Sequence, residues 1–382
     1  MVVLCDGGRH KVRLAGGFRF LASAKCPKCA ARVDPWRWRR CLTIAMNLRA
    51  PRSPVLLDRV VWIGAIAALA LAIVTAGLFW FGADQWWPAT LLLFGPRWVL
   101  LLPLAPLVIV LTIRDRLSLL TLTLAVAIVV FPIMGMQAGI GGLVVNASDD
   151  DLIVVSFNAK GGETLTQDAA GLLSDWQTDI AAFQECGRRL RRQLREIAGW
   201  HVHGRGSLCL ASRFEILDFT MMDRANLESV GGSGLIATYT VASPGAPIRI
   251  TNVHLETPRA GLELIRRGRL REGAEVLRQK SILREIELRL AQRWAQEAGG
   301  PGIIVGDFNT PAESRHYRRE FGGWTNTFSF AGRGFGGTRL NGWIRTRIDH
   351  ILVDDQWSIV SAWVGEDVGS DHLPILARVR VR

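Results

Sequence analysis

Ile303-Ile304-Val305-Gly306-Asp307-Phe308-Asn309-Thr310-Pro311 is a short β-branched run that stops at a glycine, offers two polar side chains and turns at a proline. Such a run reads as a buried strand, and its polar C-terminal tip is where α/β sheets present chemistry. In extended geometry residues two apart share a face, so Asp307 and Asn309 point the same way. An ordinary strand-to-turn junction has the same composition. The stretch gains meaning from what accompanies it.

From Asp151 onward the chain alternates short β runs with Gly-rich turns and basic helices. Leu152 to Phe157, Ile180 to Phe183, Leu208 to Ala211, Leu235 to Val241, Ile248 to Val253, Ile303 to Val305, Ile348 to Val353 and Ile375 to Val381 read as strands. Leu262 to Ala298 reads as one long helix of near-balanced charge with a solvated face. Several strands end in polar residues of one chemical kind. These ends are Ser156-Phe157-Asn158, Phe183-Gln184-Glu185, Asn252-Val253-His254-Leu255, Arg347-Ile348-Asp349-His350 and Ser370-Asp371-His372-Leu373-Pro374.

Metal-assisted hydrolysis of a phosphate ester needs such a set. A hard cation such as Mg²⁺ takes oxygen ligands, and Glu185, Asn158 and Asp371 can supply them. An attacking water needs a base, and histidine is neutral enough near pH 7 to serve. His254 and Asn309 suit the donation of hydrogen bonds to phosphoryl oxygens as charge develops there. Taken singly, Glu185 reads as a surface carboxylate, His254 as a core histidine and Asp349 as the partner of Arg347. Six such coincidences in order along one chain argue for a site.

The motif order Phe-Asn, Gln-Glu, Asn-x-His-Leu, Gly-Asp-x-Asn, Ile-Asp-His and Ser-Asp-His-x-Pro over 151–382 resembles the endonuclease/exonuclease/phosphatase (DNase I-like) superfamily. Leu208 to Arg213, with its Ala-Ser-Arg ending, resembles a further strand of that family. The resemblance implies a four-layer α-β-β-α sandwich with two packed sheets. It also implies that His372 is the base held by Asp349, that Glu185 is the main ligand of Mg²⁺ or Mn²⁺, and that His254 and Asn309 contact phosphate. Asp307 would position the nucleophile or assist the leaving group. Lys160 stands where the apurinic-site endonucleases carry a carboxylate, and neither Tyr239 nor Tyr317 matches their active-site tyrosine. Both departures argue against DNA repair and leave hydrolysis intact.

The net charge of +12 is unevenly placed. Residues 1–59 hold 13 basic and 3 acidic side chains, whereas 151–382 hold 30 and 27. The catalytic segment is thus close to neutral and makes no special provision for a polyanion. Three apolar runs, Val60 to Phe81, Trp98 to Ile113 and Leu117 to Met136, read as membrane spans. Arg37, Arg39, Arg40, Arg49, Arg52 and Arg59 precede the first, and Arg114 and Arg116 separate the second and third. Basic residues favour the cytoplasm, so three crossings place everything after about residue 145 outside. Arg97 counts against this unless it snorkels. The arrangement of spans and catalytic segment resembles membrane-anchored bacterial members of the superfamily, including phosphohydrolases linked to glycopeptide resistance.

The leader contains Cys5, His10, Cys26 and Cys29, which can close a tetrahedral zinc site; a flexible basic leader with free thiols is the alternative. Cys186 and Cys209, placed outside, read as small buried apolar residues in preference to a pair. The sequence therefore leads to three segments: a basic cytoplasmic leader over 1–55, three transmembrane helices over 60–137 and a catalytic domain over 151–382. The expected protein is a multi-pass, cell-membrane phosphohydrolase, Mg²⁺-dependent and facing away from the cytoplasm. Its expected substrate is a phosphodiester, a monoester or a lipid-linked pyrophosphate. A membrane-tethered extracellular nuclease is the alternative.

Overall fold

The two parallel strand pairs that set the architecture are Leu152–Asn158 with Ile180–Gln184 and Ile248–His254 with Gly302–Asp307. Each lies at the centre of a six-stranded sheet in the computed structural model, which describes residues 2–5, 8–11, 55–107, 116–243, 245–297 and 299–382. One sheet runs Trp357–Val364, Ile375–Val381, Leu152–Asn158, Ile180–Gln184, Leu208–Ser212, His201–Arg205. The other runs Thr325–Asn326, Asp349–Val353, Gly302–Asp307, Ile248–His254, Leu235–Val241, Ile216–Met221.

Alternation along the strands builds the layers. Val154, Ile180, Tyr239, Ile250, Val305 and Ile351 fill the space between the sheets. Their neighbours Val155, Phe157 and Phe183 face outward, onto Leu172 and Leu190 of the helices Ala169–Asp175 and Arg188–Arg195. On the opposite side Val253, Ile304 and Leu352 meet Leu288 of the helix Leu270–Glu297 and Tyr317 of the helix Arg315–Glu320. Two sheets between two helical layers form the mixed α/β sandwich anticipated from the motif order. Fully burying a side chain such as Phe183 contributes roughly 1.5–3 kcal/mol, so three such clusters suffice for a stable core.

Two expectations need correction. The long helix over 262–298 is two helices, Arg259–Arg266 and Leu270–Glu297. Gly268 adopts φ +80°, its N–H bonds Ile265 O, and the Arg269 N–H bonds Leu264 O. This paired C-terminal closure, with a left-handed glycine, ends the first helix before the second begins. Cys186 and Cys209 are joined by a disulfide, with Cα atoms 6.0 Å apart, and are not separate buried thiols. Strand pairing brings them together, because Phe183 lies opposite Cys209 in the antiparallel register. The edge strands His201–Arg205 and Ile216–Met221 were not legible, since their side chains are half exposed and mostly polar or mixed.

The chain divides into two units, 1–60 and 61–382. In the first, Val2–Cys5 pairs antiparallel with Gly8–Lys11. Cys26 and Cys29, two of the four candidate zinc ligands, lie outside the described residues. Arg59–Phe81 is the one described helix long and apolar enough by itself to cross a membrane. Only 22% of its most apolar window is buried, unlike the core helix of a soluble domain. The expected second span differs in form. Trp87–Phe94 and Arg97–Leu107 are bent by 97° at Gly95-Pro96, and residues 108–115 lie outside the described ones. The third apolar helix, Leu119–Ile133, ends in a π turn containing Pro132.

Polar contacts join these apolar helices to the sandwich. The buried Asp84 carboxylate accepts hydrogen bonds from Ser314 Oγ and the Arg315 N–H, both at 2.9 Å. Arg318 donates to Phe79 O and Trp80 O, the last carbonyls of the long apolar helix. Arg97 donates to Leu93 O, to Ile133 O and to the Glu313 carboxylate, the last two at 2.7 and 2.8 Å. Arg97 is therefore shared between the apolar helices and the sandwich.

Two outcomes test this fold. Without reductant, alkylation and peptide mass spectrometry should recover Cys186 and Cys209 as one cross-linked species; quantitative alkylation of both thiols would contradict the pairing. His350 is fully buried, with Nε2 donating to Thr310 O at 2.9 Å, and desolvation aided by Arg347 pushes its pKa down to about 4. The unfolded chain then binds the proton first as pH falls below about 6.5. Unfolding free energy should accordingly drop by an amount on the order of 3 kcal/mol between pH 6.5 and 4. Denaturant titrations of His350→Gln should show a shallower slope over the same window.

Candidate active site

Gly306 decides where the site lies. It has φ +146°, and a Cβ there would stand 1.9 Å from Val253 O on the neighbouring strand, so no other residue fits. The close approach carries Asp307 level with His254 in the parallel register and with Asp349 in the antiparallel one. Asn158 and Glu185 end the parallel pair of the other sheet, and the segment Ser370–Leu373 leads into Ile375–Val381 beside it. One edge of the sandwich thus collects most of the residues singled out from the sequence.

Their geometry is specific. His372 Nδ1 lies 2.8 Å from Asp349 Oδ2, and its Nε2 lies 3.6 Å from Asp307 Oδ2. The carboxylate at Nδ1 assigns the proton to that nitrogen and turns Nε2 inward. His254 Nε2 lies 3.7 Å from Asp307 Oδ2 and 3.8 Å from Glu185 Oε1. Asn158 Nδ2 donates to Asp307 Oδ2 at 3.0 Å and to Glu185 Oε1 at 3.1 Å. Asn309 is held by its own amide, which donates to Leu255 O at 2.8 Å, while its N–H donates to Asp307 Oδ1 at 2.9 Å. One hydrogen of that side-chain amide is thus already committed; the other is available to an incoming oxygen.

Backbone strain is concentrated here. Among the described residues, four non-glycine positions have positive φ, and Lys160, Glu185 and Asn309 are three of them, at 47–49°. Asparagine tolerates this region, but glutamate and lysine do not favour it. Each such residue costs on the order of 1–3 kcal/mol, which persists when the surroundings enforce it.

The electrostatics follow from burial. Asp307 is fully buried, and desolvation together with Asp349 raises its pKa. Burial pulls the His372 imidazole down, but Asp349 and Asp307 outweigh it and the pKa is pushed up to about 9. Histidine was expected to be neutral near pH 7; between two uncompensated carboxylates it holds its proton. Asp349 Oδ1 is buried with no hydrogen-bond partner, so the cluster has unused acceptor capacity. Ligand atoms of Asp307, Asp349 and His372 lie within 4.8 Å of one another. Carboxylate and amide oxygens fit Mg²⁺ or Mn²⁺, and Glu185 with Asn158 would hold it. Asn158 presents its NH₂ to the carboxylates here, because two acceptors demand a donor. Ligation through its oxygen requires the amide to turn over.

One expected ligand is placed otherwise. Asp371 Oδ2 is 2.8 Å from Arg339 Nη1 and 3.4 Å from Lys160 Nζ. Adjacent residues of an extended segment point to opposite faces, so with His372 directed into the cluster Asp371 turns to the cations beside it. Asp349 likewise does not pair with Arg347, which lies 3.5 Å from Glu313 and stacks over Phe328. Tyr239 and Tyr317 are buried in the core clusters.

Some supporting residues carried no signal in the sequence. Thr338 Oγ1 accepts the N–H groups of Ile348 and Asp349, and Ser370 Oγ donates to Asn158 O at 2.8 Å. Between the sheets, Gln184 Nε2 donates to Asn252 Oδ1 at 2.7 Å, and Asn252 Nδ2 donates to Phe183 O and Cys209 O. Arg339 belongs to a hairpin, Arg339–Asn341 with Ile344–Thr346, that stands beside His372. Gln184 and Asn252 both stand in the quoted strand-end motifs, but nothing local showed that they bond to each other across the sheets.

Comparison with known proteins agrees with this geometry. The Endonuclease/Exonuclease/phosphatase family matches residues 155–372. No curated protein matches. Similar solved structures include humanised D. rerio TDP2, at 17% identity over 61% of this chain and 100% of that one, TM-score 0.48. A Bacteroides thetaiotaomicron mannosyl-6-phosphatase aligns at 17% identity over 60% and 99%, TM-score 0.44. An AP endonuclease from Archaeoglobus fulgidus aligns at 16% identity over 59% and 98%, TM-score 0.45. With the family motifs gathered at one edge of two six-stranded sheets, the chain belongs to the endonuclease/exonuclease/phosphatase family.

Proposed function

We propose that the protein is a membrane-anchored, divalent-metal-dependent phosphohydrolase whose site faces away from the cytoplasm and takes lipid-linked phosphate esters ahead of nucleic acid. The observation that supports it best is the His372–Asp349 pair facing Asp307, with Glu185, Asn158, His254 and Asn309 around the same point. In this reading the neutral form of His372, which is the minor form in the isolated cluster near pH 7, takes a proton from the attacking water at Nε2, and Asp349 stabilises the imidazolium that forms. Asp307 aligns the water, or hands a proton to the leaving oxygen; burial raises its pKa and suits it to hold one. His254 and the free N–H of Asn309 donate to the phosphoryl oxygens, where fixed donors lower the barrier most. A bound Mg²⁺ or Mn²⁺ supplies charge that opposes the carboxylates and orients the phosphate.

Four observations support the topology. The long apolar helix meets the sandwich at its C-terminal end, through Phe79, Trp80 and Asp84. A helix of 23 residues is about 35 Å long, enough to leave its start on the opposite face of a bilayer. The Cys186–Cys209 disulfide belongs in an oxidising compartment, and the arginines before the helix favour the cytoplasm.

With the purified full chain in mixed micelles and Mg²⁺, hydrolysis of a lipid phosphate should exceed that of duplex DNA. DNA cleavage that dominates and weakens steeply with salt would instead establish the nuclease reading. His372→Ala should lower kcat by roughly 10²–10⁴ with little change in KM, the usual worth of a positioned base. Glu185→Gln should weaken the response to Mg²⁺ and be partly restored by added metal. A near wild-type kcat in His372→Ala would end the mechanism. A reporter fused after Arg382 should be active only outside the cytoplasm and one at Asp115 only inside; the reverse pattern would overturn the topology.

A further inference from the structure

A cavity of about 520 Å³ lies beside the catalytic cluster and includes none of its residues. Its walls come from the segment leaving the last apolar helix, from the helix Thr327–Ala331, from the strand Trp357–Val364 and from the base of the hairpin that carries Arg339. The first wall is stitched in place. Gln137–Ala138 pairs antiparallel with Arg333–Gly334, Gly139 packs on the Arg333 stem, and Gly142 lies against Val360 O and Ala331. Ile133, the last residue of the apolar helix, is only six residues before Gly139.

The chemistry of the cavity is one-sided. Arg333 and Arg345 line it, no acidic side chain does, and among the described residues neither arginine has an ion-pair partner. Around it stand apolar side chains with no protein cover: Ile140 and Leu143 are 70% exposed, Val144 81%, and Trp343 at the hairpin tip 88%. Unpaired cations within an apolar, outward-facing rim suit a ligand that is anionic at one end and apolar at the other. The volume falls in the range of roughly 300–1,000 Å³ typical of small-ligand sites. The hairpin separates this place from the reacting groups. Arg339 pairs with Thr346 and Leu340 with Arg345, so Arg339 and Arg345 lie on opposite faces. One reaches Asp371, the other the cavity.

We propose that this cavity binds the headgroup of an anionic phospholipid from the leaflet on the sandwich side, as a resident lipid and not as the substrate. Arg333 and Arg345 hold its phosphate, while Ile140, Leu143, Val144 and Trp343 enter the membrane interface. Tryptophan and arginine are suited to that level of a bilayer. Bound there, the lipid fixes the hairpin whose other face holds Asp371 beside His372. The proposal rests on the membrane anchoring argued above.

The test is lipid retention by the full chain in native mass spectrometry, after release from micelles containing phosphatidylglycerol or phosphatidylcholine. The wild type should keep one phosphatidylglycerol, recovered intact, and no phosphatidylcholine. Arg333→Gln with Arg345→Gln should reduce retention by about tenfold or more, since two charge-assisted phosphate contacts are lost. The variant's folding is checked by an unchanged circular dichroism spectrum and by retention of the Cys186–Cys209 disulfide. Equal retention by the variant, equal retention of phosphatidylcholine, or displacement by equimolar inorganic phosphate would each overturn the site. Because the readout is binding, a negative result leaves the phosphohydrolase reading standing. A wild type that keeps the lipid but hydrolyses nothing has the opposite meaning.

Discussion

Two buried carboxylates, Asp307 and Asp349, stand directly opposite each other on adjacent antiparallel strands. Like charges in that position destabilise a sheet, and burial removes the water that would screen them. The donors collected at this edge offset that repulsion. Asn158 donates to Asp307 Oδ2, the Asn309 N–H donates to its other oxygen, Oδ1, and His372 bonds Asp349. Asp349 Oδ1 still has no partner. A cluster that is incompletely compensated by its own donors favours a cation and an attacking water, which is what hydrolysis of a phosphate ester requires.

The sequence made the ends of the strands readable because β-branched runs and polar tips alternate with a fixed period, and the conserved geometry of a strand leaves few choices of face. Asp307, Asp349, His372, Glu185, Asn158, His254 and Asn309 were all identified that way, and the structure brings them together. What could not be read depends on contacts between distant segments. Arg339 lies 32 residues from Asp371, and nothing local announces the hairpin that delivers it. The Cys186–Cys209 pair required the register of two strands. The break at Gly268 had a local cue, but the helical periodicity on both sides concealed it. Asp371 lies apart from that group for a different reason: residue type was weighed, while the alternation that turns it away from His372 was not.

The apolar helices and the catalytic edge are mechanically connected through the loop that follows Asn309. Glu313 on that loop sits between Arg97 and Arg347. Burial raises its pKa, yet the two guanidinium groups outweigh this and keep the carboxylate ionised. Asp84 caps the helix that begins at Arg315, together with Ser314. Arg284, fully buried on the long helix, stacks over Phe94 from the apolar segment and aims Nη1 at Asn309 O, 3.5 Å away.

Such an arrangement explains why charged residues recur between apolar helices that would otherwise exclude them. Taking a guanidinium out of water is costly, and the return comes only when its partners are complete. Arg97 meets that condition with two carbonyl groups and one carboxylate, drawn from three separate segments. Removing the Glu313 carboxylate would leave Arg97 and Arg347 without their counter-charge, a loss of about 3–5 kcal/mol for a broken buried pair. The contact fixes the loop that follows Asn309 to the ends of the helices. A flexible connection would leave the catalytic edge free to turn relative to the apolar helices; this one sets its orientation against them.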